Sequence, residues 1–116
     1  MTQFRAMKAA PTPSKAPVTG KLRRFLRGLA HGIKPIVTIG KQGLGPSVVK
    51  QIDAALECHE LIKVQYGADK ATKLKAAAEM ERQLGALCAG TVGHMIILFR
   101  QNEDPEKRVV ELPRGL

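Results

Sequence analysis

The chain has no tryptophan, one tyrosine and three phenylalanines among its 116 residues. Any core must therefore rest on Leu, Ile, Val and Ala. Single-strand nucleic-acid binders stack bases on exposed rings. Here only Phe4, Phe25, Tyr66 and Phe99 are present, and three of them fit core positions. Cysteine is scarce as well. Cys58 and Cys88 lie far apart with no close CxxC pair, which argues against a zinc knuckle. Two small buried hydrophobes in a reducing compartment are expected, and nothing requires a disulfide. Long apolar runs are missing. Met1–Val18 lacks the apolar stretch of a signal peptide, and no segment reaches bilayer-spanning length. A cytoplasmic protein without a membrane partner is the expectation.

The most informative absence is of negative charge. No acidic residue precedes Asp53, whereas ten basic residues do: Arg5, Lys8, Lys15, Lys21, Arg23, Arg24, Arg27, Lys34, Lys41 and Lys50. From Asp53 onward nine basic residues face ten acidic ones, so residues 1–52 carry +10 and residues 53–116 carry −1. Such one-sided charge repels itself unless a polyanion or solvent ions relieve it. RNA or DNA is the first candidate, an anionic membrane the second, and a merely soluble basic surface the plain alternative.

The length suits one domain with a modest core. Residues 1–20 contain Pro11, Pro13 and Pro17 among Ala, Thr and Ser, and read as a disordered basic arm. Residues 21–112 read as the folded domain and 113–116 as a tail. Thr19–His31 is expected to be a helix, with Leu22, Phe25, Leu26 and Leu29 in one apolar stripe and Gly32 stopping it. Its short length and single aromatic favour packing on a sheet over lying on lipid. Pro35–Ile39 reads as a strand. A second helix from Pro46 to about Cys58 would turn Val48, Ile52, Ala55 and Leu56 inward and Asp53 and Glu57 toward solvent.

Leu61–Tyr66 is a further strand. A third helix, capped by Asp69 and closed by Gly85, would bury Leu74, Ala77, Met80 and Leu84. Leu87–Val92 and Met95–Phe99 make a hairpin about Gly93-His94, and Arg108–Leu112 a last extended piece. The order α-β-α-β-α-β-β implies a single two-layer α/β sandwich. Its mixed four-stranded sheet would pair neighbouring parallel strands across each helical crossover.

Between the first strand and the second helix lies "IGKQGLGP", residues 39–46. Glycines let a ligand approach the backbone because no Cβ intervenes. A helix N-terminus adds unpaired N–H groups and positive potential. Gly40, Lys41, Gln42 and Gly43 are thus the candidate phosphate-contacting loop. The pattern is neither a P-loop nor a dinucleotide fingerprint, and by itself GxxG also fits plain turn chemistry. KH domains clamp nucleic-acid backbone with a GXXG loop, though between helices, so the likeness is in chemistry and not in topology.

The stretch "LRGLAHGIKPIVTIGKQGLGPSVVKQIDAALECHELIKVQYG" resembles the CRM domain, the CRS1–YhbY family, and in particular its small bacterial stand-alone YhbY-type members. The resemblance is carried by Leu29-Ala30-His31, Lys34-Pro35, Ile39-Gly40 running through Gly43-Leu44, and His59-Glu60-Leu61-Ile62-Lys63-Val64. It spans about Lys21 to Arg100. It implies a fold similar to the C-terminal domain of bacterial translation initiation factor 3, and RNA binding. Members of this size are associated with precursors of the large ribosomal subunit, and plant relatives act in group II intron splicing.

By this resemblance Gly40, Lys41, Gln42 and Gly43 contact RNA, and Lys21, Arg23, Arg24, Arg27, Lys34 and Lys63 form a basic face. The chain departs from related proteins after Leu44. Gly45-Pro46-Ser47 stand where they carry a Thr cap and an acidic residue, which alters contact geometry there and removes a negative charge near the loop.

The expected function is therefore binding of structured RNA, 23S rRNA in precursor large subunits, by a monomer without catalysis, cofactor or metal. With few rings, recognition should lean on shape, phosphates and 2′-hydroxyls. A module docking on ribosomal proteins is the alternative. An RNA-processing enzyme is a lesser one. For it, His31, His59 and His94 and the acids Asp53, Glu57 and Glu60 are the available groups. His31 and His59 read as helix-end packing or caps, and two-metal chemistry would need convergent carboxylates.

Overall fold

A computed structural model of the chain describes residues 20–112. The expected arm lies outside the described residues except for Gly20, and so does the tail. Among the described residues the order is α1 (Gly20–Ala30), β1 (Val37–Ile39), α2 (Pro46–His59), β2 (Leu61–Tyr66), α3 (Lys70–Leu84), β3 (Leu87–Val92) and β4 (Met95–Phe99), then a 3-10 turn at Pro105–Lys107.

Local chemistry sets the boundaries. α2 opens with Gly45 as an extended N-cap and Pro46 as its first residue, where the missing N–H costs nothing. α3 is capped by the Asp69 carboxylate, which accepts from the Thr72 amide at 2.8 Å, and it closes on left-handed Gly85. β1 is shorter than expected. Pro35 and Ile36 precede it, although the Ile36 amide still donates to the Lys63 carbonyl at 3.2 Å.

The sheet is four-stranded in the order β1-β2-β4-β3. β1 and β2 are parallel, and β4 runs antiparallel to both β2 and β3. The first crossover therefore joins neighbours as expected. The second does not, because β4 inserts between β2 and β3 and leaves β3 at the edge. The hairpin lets β4, with Ile96, Ile97, Leu98 and Phe99 all buried, take the central position where both faces are covered.

Alternation along the strands divides the core. Val37, Ile39, Ile62, Val64, Ile96 and Leu98 face α2 and α3, where Ile52, Leu56, Ala77, Met80 and Leu84 meet them. Leu61, Leu87, Ala89, Ile97 and Phe99 face the other way, against Leu22, Leu26 and Ala30 of α1. The class and the mixed sheet are as the sequence indicates. The two-layer count is amended, since α1 adds a partial third layer on the opposite face.

Four burial expectations change. Leu29 is 43% exposed, because α1 packs through a narrow stripe at Leu22, Leu26 and Ala30. Leu74 is 49% exposed; α3 is rotated so that Lys73, Ala76 and Ala77 face inward, with the Lys73 ammonium donating to the Gly93 carbonyl. Cys58 is exposed and Cys88 half-buried, both as free thiols. The Arg108–Leu112 piece joins no strand and instead straps the α1 side of the core with Val110 and Leu112.

Candidate nucleic-acid interface

β1 ends at Ile39, in register with Tyr66, and the next four residues reverse the chain toward α2. The reversal is a turn in which the Gly43 amide donates to the Gly40 carbonyl at 3.0 Å. Gly43 has φ +81, a conformation that disfavours any side chain, and a Cβ there would stand 3.6 Å from the Tyr66 hydroxyl. Gly40, Lys41 and Gln42 are exposed and Gly43 is half-buried. The turn leads through Leu44 and Gly45 into α2, which has no side-chain cap, so its first amides stay open at the positive end of the helix dipole. An exposed lysine, bare backbone and open helix amides thus meet at one bend. That arrangement can hold a phosphate.

The six basic residues assigned to the flanking face do not behave alike. Arg27 donates to the Ala89 carbonyl at 2.7 Å and Arg23 to the Cys88 carbonyl at 3.4 Å. Both guanidiniums clamp α1 onto β3, and the Arg27 chain lies where a Cβ on Gly90 would be, 3.0 Å from its Cδ. Gly90 sits at φ +148 beside the register shift in β3, which opens that space. Lys21, Arg24 and Lys34 are exposed, Lys63 is half-buried, and none of the four makes a side-chain hydrogen bond to another described residue. Lys34 lies two residues before Ile36, whose amide donates to the Lys63 carbonyl at the start of β1, while the glycine turn lies at its other end. The cations are therefore spread along the sheet and do not form one cluster.

The acids weighed for chemistry hold the fold together. Arg100 donates to the Asp53 carboxylate at 2.7 Å, to the Leu84 carbonyl at 3.0 Å and to Glu57 at 3.4 Å. Asp53 is half-buried under this contact, which corrects its solvent-facing expectation, whereas Glu57 is exposed as expected. Glu60 is fully buried; its carboxylate accepts from the Asn102 amide and, at 2.7 Å, from the Val109 and Val110 amides. Its backbone, at φ 63, ends α2. His31, His59 and His94 are all exposed; His31 directly follows α1 and His59 ends α2, so the two sit at helix ends as expected but are not packed. Sequence reasoning missed the Tyr66 hydroxyl beneath the turn. The alternation of "LIKVQY" puts Tyr66 on the core face, but its approach to Gly43 depends on the fold.

Fold and bend together define a small, strongly cationic α/β domain that presents a glycine turn where a strand passes into a helix. The CRS1 / YhbY (CRM) domain matches residues 18–100, and the chain belongs to that family. It is 40% identical over 95 residues to a Haemophilus influenzae protein named "RNA-binding protein", covering 81% of this chain and 93% of that one. It is 36% identical over 97 residues to the Bacillus subtilis "Probable RNA-binding protein YqeI", covering 83% and 99%. The solution structure of the Staphylococcus aureus hypothetical protein SAV1595 superposes with a TM-score of 0.72 at 37% identity, covering 84% of this chain and all of that one.

Proposed function

We propose that this protein binds structured RNA without catalysing its turnover, holding the sugar–phosphate backbone against Gly40–Gly43 and the open N-terminus of α2. The observation that carries this reading is the exposure of that turn, with Lys41 exposed in it, in the half of the chain that has no acidic residue before Asp53. Membership of the CRM family and the names of its relatives support RNA as the polyanion. The target proposed is 23S rRNA in cytoplasmic precursors of the large ribosomal subunit. Lys21, Arg24, Lys34 and Lys63 add phosphate attraction. Arg23 and Arg27 contribute by holding α1 in place.

Titration of labelled rRNA fragments at several salt concentrations tests this. Affinity should fall steeply with salt, with a slope that counts the phosphates neutralised. Reversing Lys41 and Arg24 together to Glu should weaken binding about tenfold or more and flatten that slope, without lowering the melting temperature. Gly40→Ala is the sharper probe. A Cβ there meets nothing within 4 Å, so the fold should be kept while close backbone approach is blocked. Sedimentation at low salt should place the protein with precursor large subunits. Recovery only in the free fraction would overturn the assembly role, and association that survives complete ribonuclease digestion would favour docking on ribosomal proteins.

A further inference from the structure

The α1 side of the sheet is only partly covered. Thr38 is in register with Gln65, Gln65 with Met95, and Met95 with Val92, so these four form one row across the sheet. Paired residues share a face, and Ile97, two residues beyond Met95, packs under α1, which puts the row on the α1 side. α1 stops short of it, since no residue of β1 belongs to the cluster under that helix. Thr38, Gln65 and Val92 are exposed, Val92 by 55%, and Met95 is half-buried. Three interstrand spacings make the row roughly 15 Å long. At its β1 end the chain runs from Thr38 through Ile39 into the Gly40–Gly43 turn, which bends past the sheet edge over Tyr66 toward α2 on the other face. Two residues back along β2 from Gln65, on the row's own face and roughly 7 Å away, is Lys63.

We propose that this row is a base-contact strip, and that RNA held at the turn lays its bases across it. The strip is uncharged, with Lys63 on the same face at one side and Lys41 in the turn past the end of β1 at the other. That charge pattern complements a nucleotide strand, with anionic phosphates at the flanks and neutral planar bases between them. Val92 and Met95 offer apolar surface for base faces. Gln65 carries two donors and an acceptor, and Thr38 a hydroxyl, all suited to base edges or 2′-hydroxyls. The scarcity of rings points to recognition by shape and phosphate. The strip supplies base contact without rings, and so gives the protein a sequence preference.

The inference rests on the RNA reading, and two measurements separate their fates. In the full chain, Thr38→Val with Gln65→Ala should lower affinity for the preferred member of a set of fragments tiling 23S rRNA by about tenfold. The salt slope and the affinity for the poorest fragment should stay unchanged. Lys41→Glu should weaken all fragments alike. A double variant that binds every fragment as the unaltered protein does, while Lys41→Glu weakens binding, would overturn the strip and leave the RNA reading standing. RNA binding insensitive to both would overturn both. A photoreactive residue in place of exposed Val92 should form its adduct with nucleobases. An adduct with residues 1–19 of the same chain, or with a second copy, would show a different occupant and overturn the proposal.

Discussion

Glu60 shows how one residue can look catalytic in sequence and be structural in space. Its buried carboxylate gathers the Asn102 amide and two amides of the C-terminal strap, those of Val109 and Val110, while its carbonyl accepts from the Arg100 amide at 2.8 Å. Hydrogen bonds to a charged group contribute roughly 1.5–3 kcal/mol each, and an amide left without its partner costs a similar amount. Glu60→Gln should therefore destabilise the domain by about 2–3 kcal/mol in urea denaturation, and amide exchange at Val109 and Val110 should accelerate. An unchanged exchange rate would show that the carboxylate does not hold the strap.

The two thiols should differ in reactivity. Burial pushes the Cys88 thiol up, against a weaker opposing pull from its contact with the Gly90 carbonyl, whereas Cys58 is exposed. Maleimide should label native protein at Cys58 first, with Cys88 reacting fully only on denaturation. Equal labelling rates would contradict the packing at β3. The Thr72 hydrogen bond holds the Asp69 carboxyl below its ordinary value of 3.8. Its stabilisation of α3 is full above that pH and is lost as the pH falls through the lower folded value. The melting-temperature gap between the unaltered protein and Asp69→Ala should accordingly narrow as the pH drops below 3.8.

At the level of elements, α1 is attached by apolar packing and by two arginines that reach the edge strand. Sequence composition groups Arg23 and Arg27 with Lys21 and Arg24 as one basic patch. The helix geometry separates them, because residues four apart share a face. Arg27→Glu should lower stability and loosen α1 as judged by amide exchange, whereas Arg24→Glu should leave stability unchanged and affect only RNA binding. Gly90→Val should destabilise through both the φ of +148 and collision with the Arg27 chain. Arg100 performs the corresponding task on the opposite layer. Its guanidinium is 10% exposed and ties α2 to the end of α3. Arg100→Met should cost about 2–4 kcal/mol, since it leaves the Leu84 carbonyl and the Asp53 carboxylate without that donor.

Over the whole molecule, the neutral C-terminal half supplies most of the sheet, and the cationic N-terminal half supplies α1, β1 and the turn. β1 brings the two together, pairing with β2 in parallel so that the glycine turn emerges beside Tyr66. The cations lie along one side of the sheet and at its end, which suits a strand of polyanion better than a single phosphate. Neutralising several of them at once should change the salt slope more than the affinity measured at high salt.

The sequence by itself determined the elements, their order and the exposed glycine turn. These depend on neighbours a few residues apart: periodicity for α1 and α2, Asp69 and Gly85 as helix ends, and glycines around Lys41. It also placed the chain's positive charge. It did not determine the strand order, because local pattern cannot tell whether β4 pairs outside β3 or between β3 and β2. That choice buries Ile96 through Phe99 on both faces, and it aligns Thr38, Gln65, Met95 and Val92. Nor could sequence separate Arg27 from Arg24 or give Glu60 its amides, since those partners lie tens of residues away. Only the tertiary structure decided which cations were left free, because a charge is available to a ligand only when no backbone carbonyl has already claimed it.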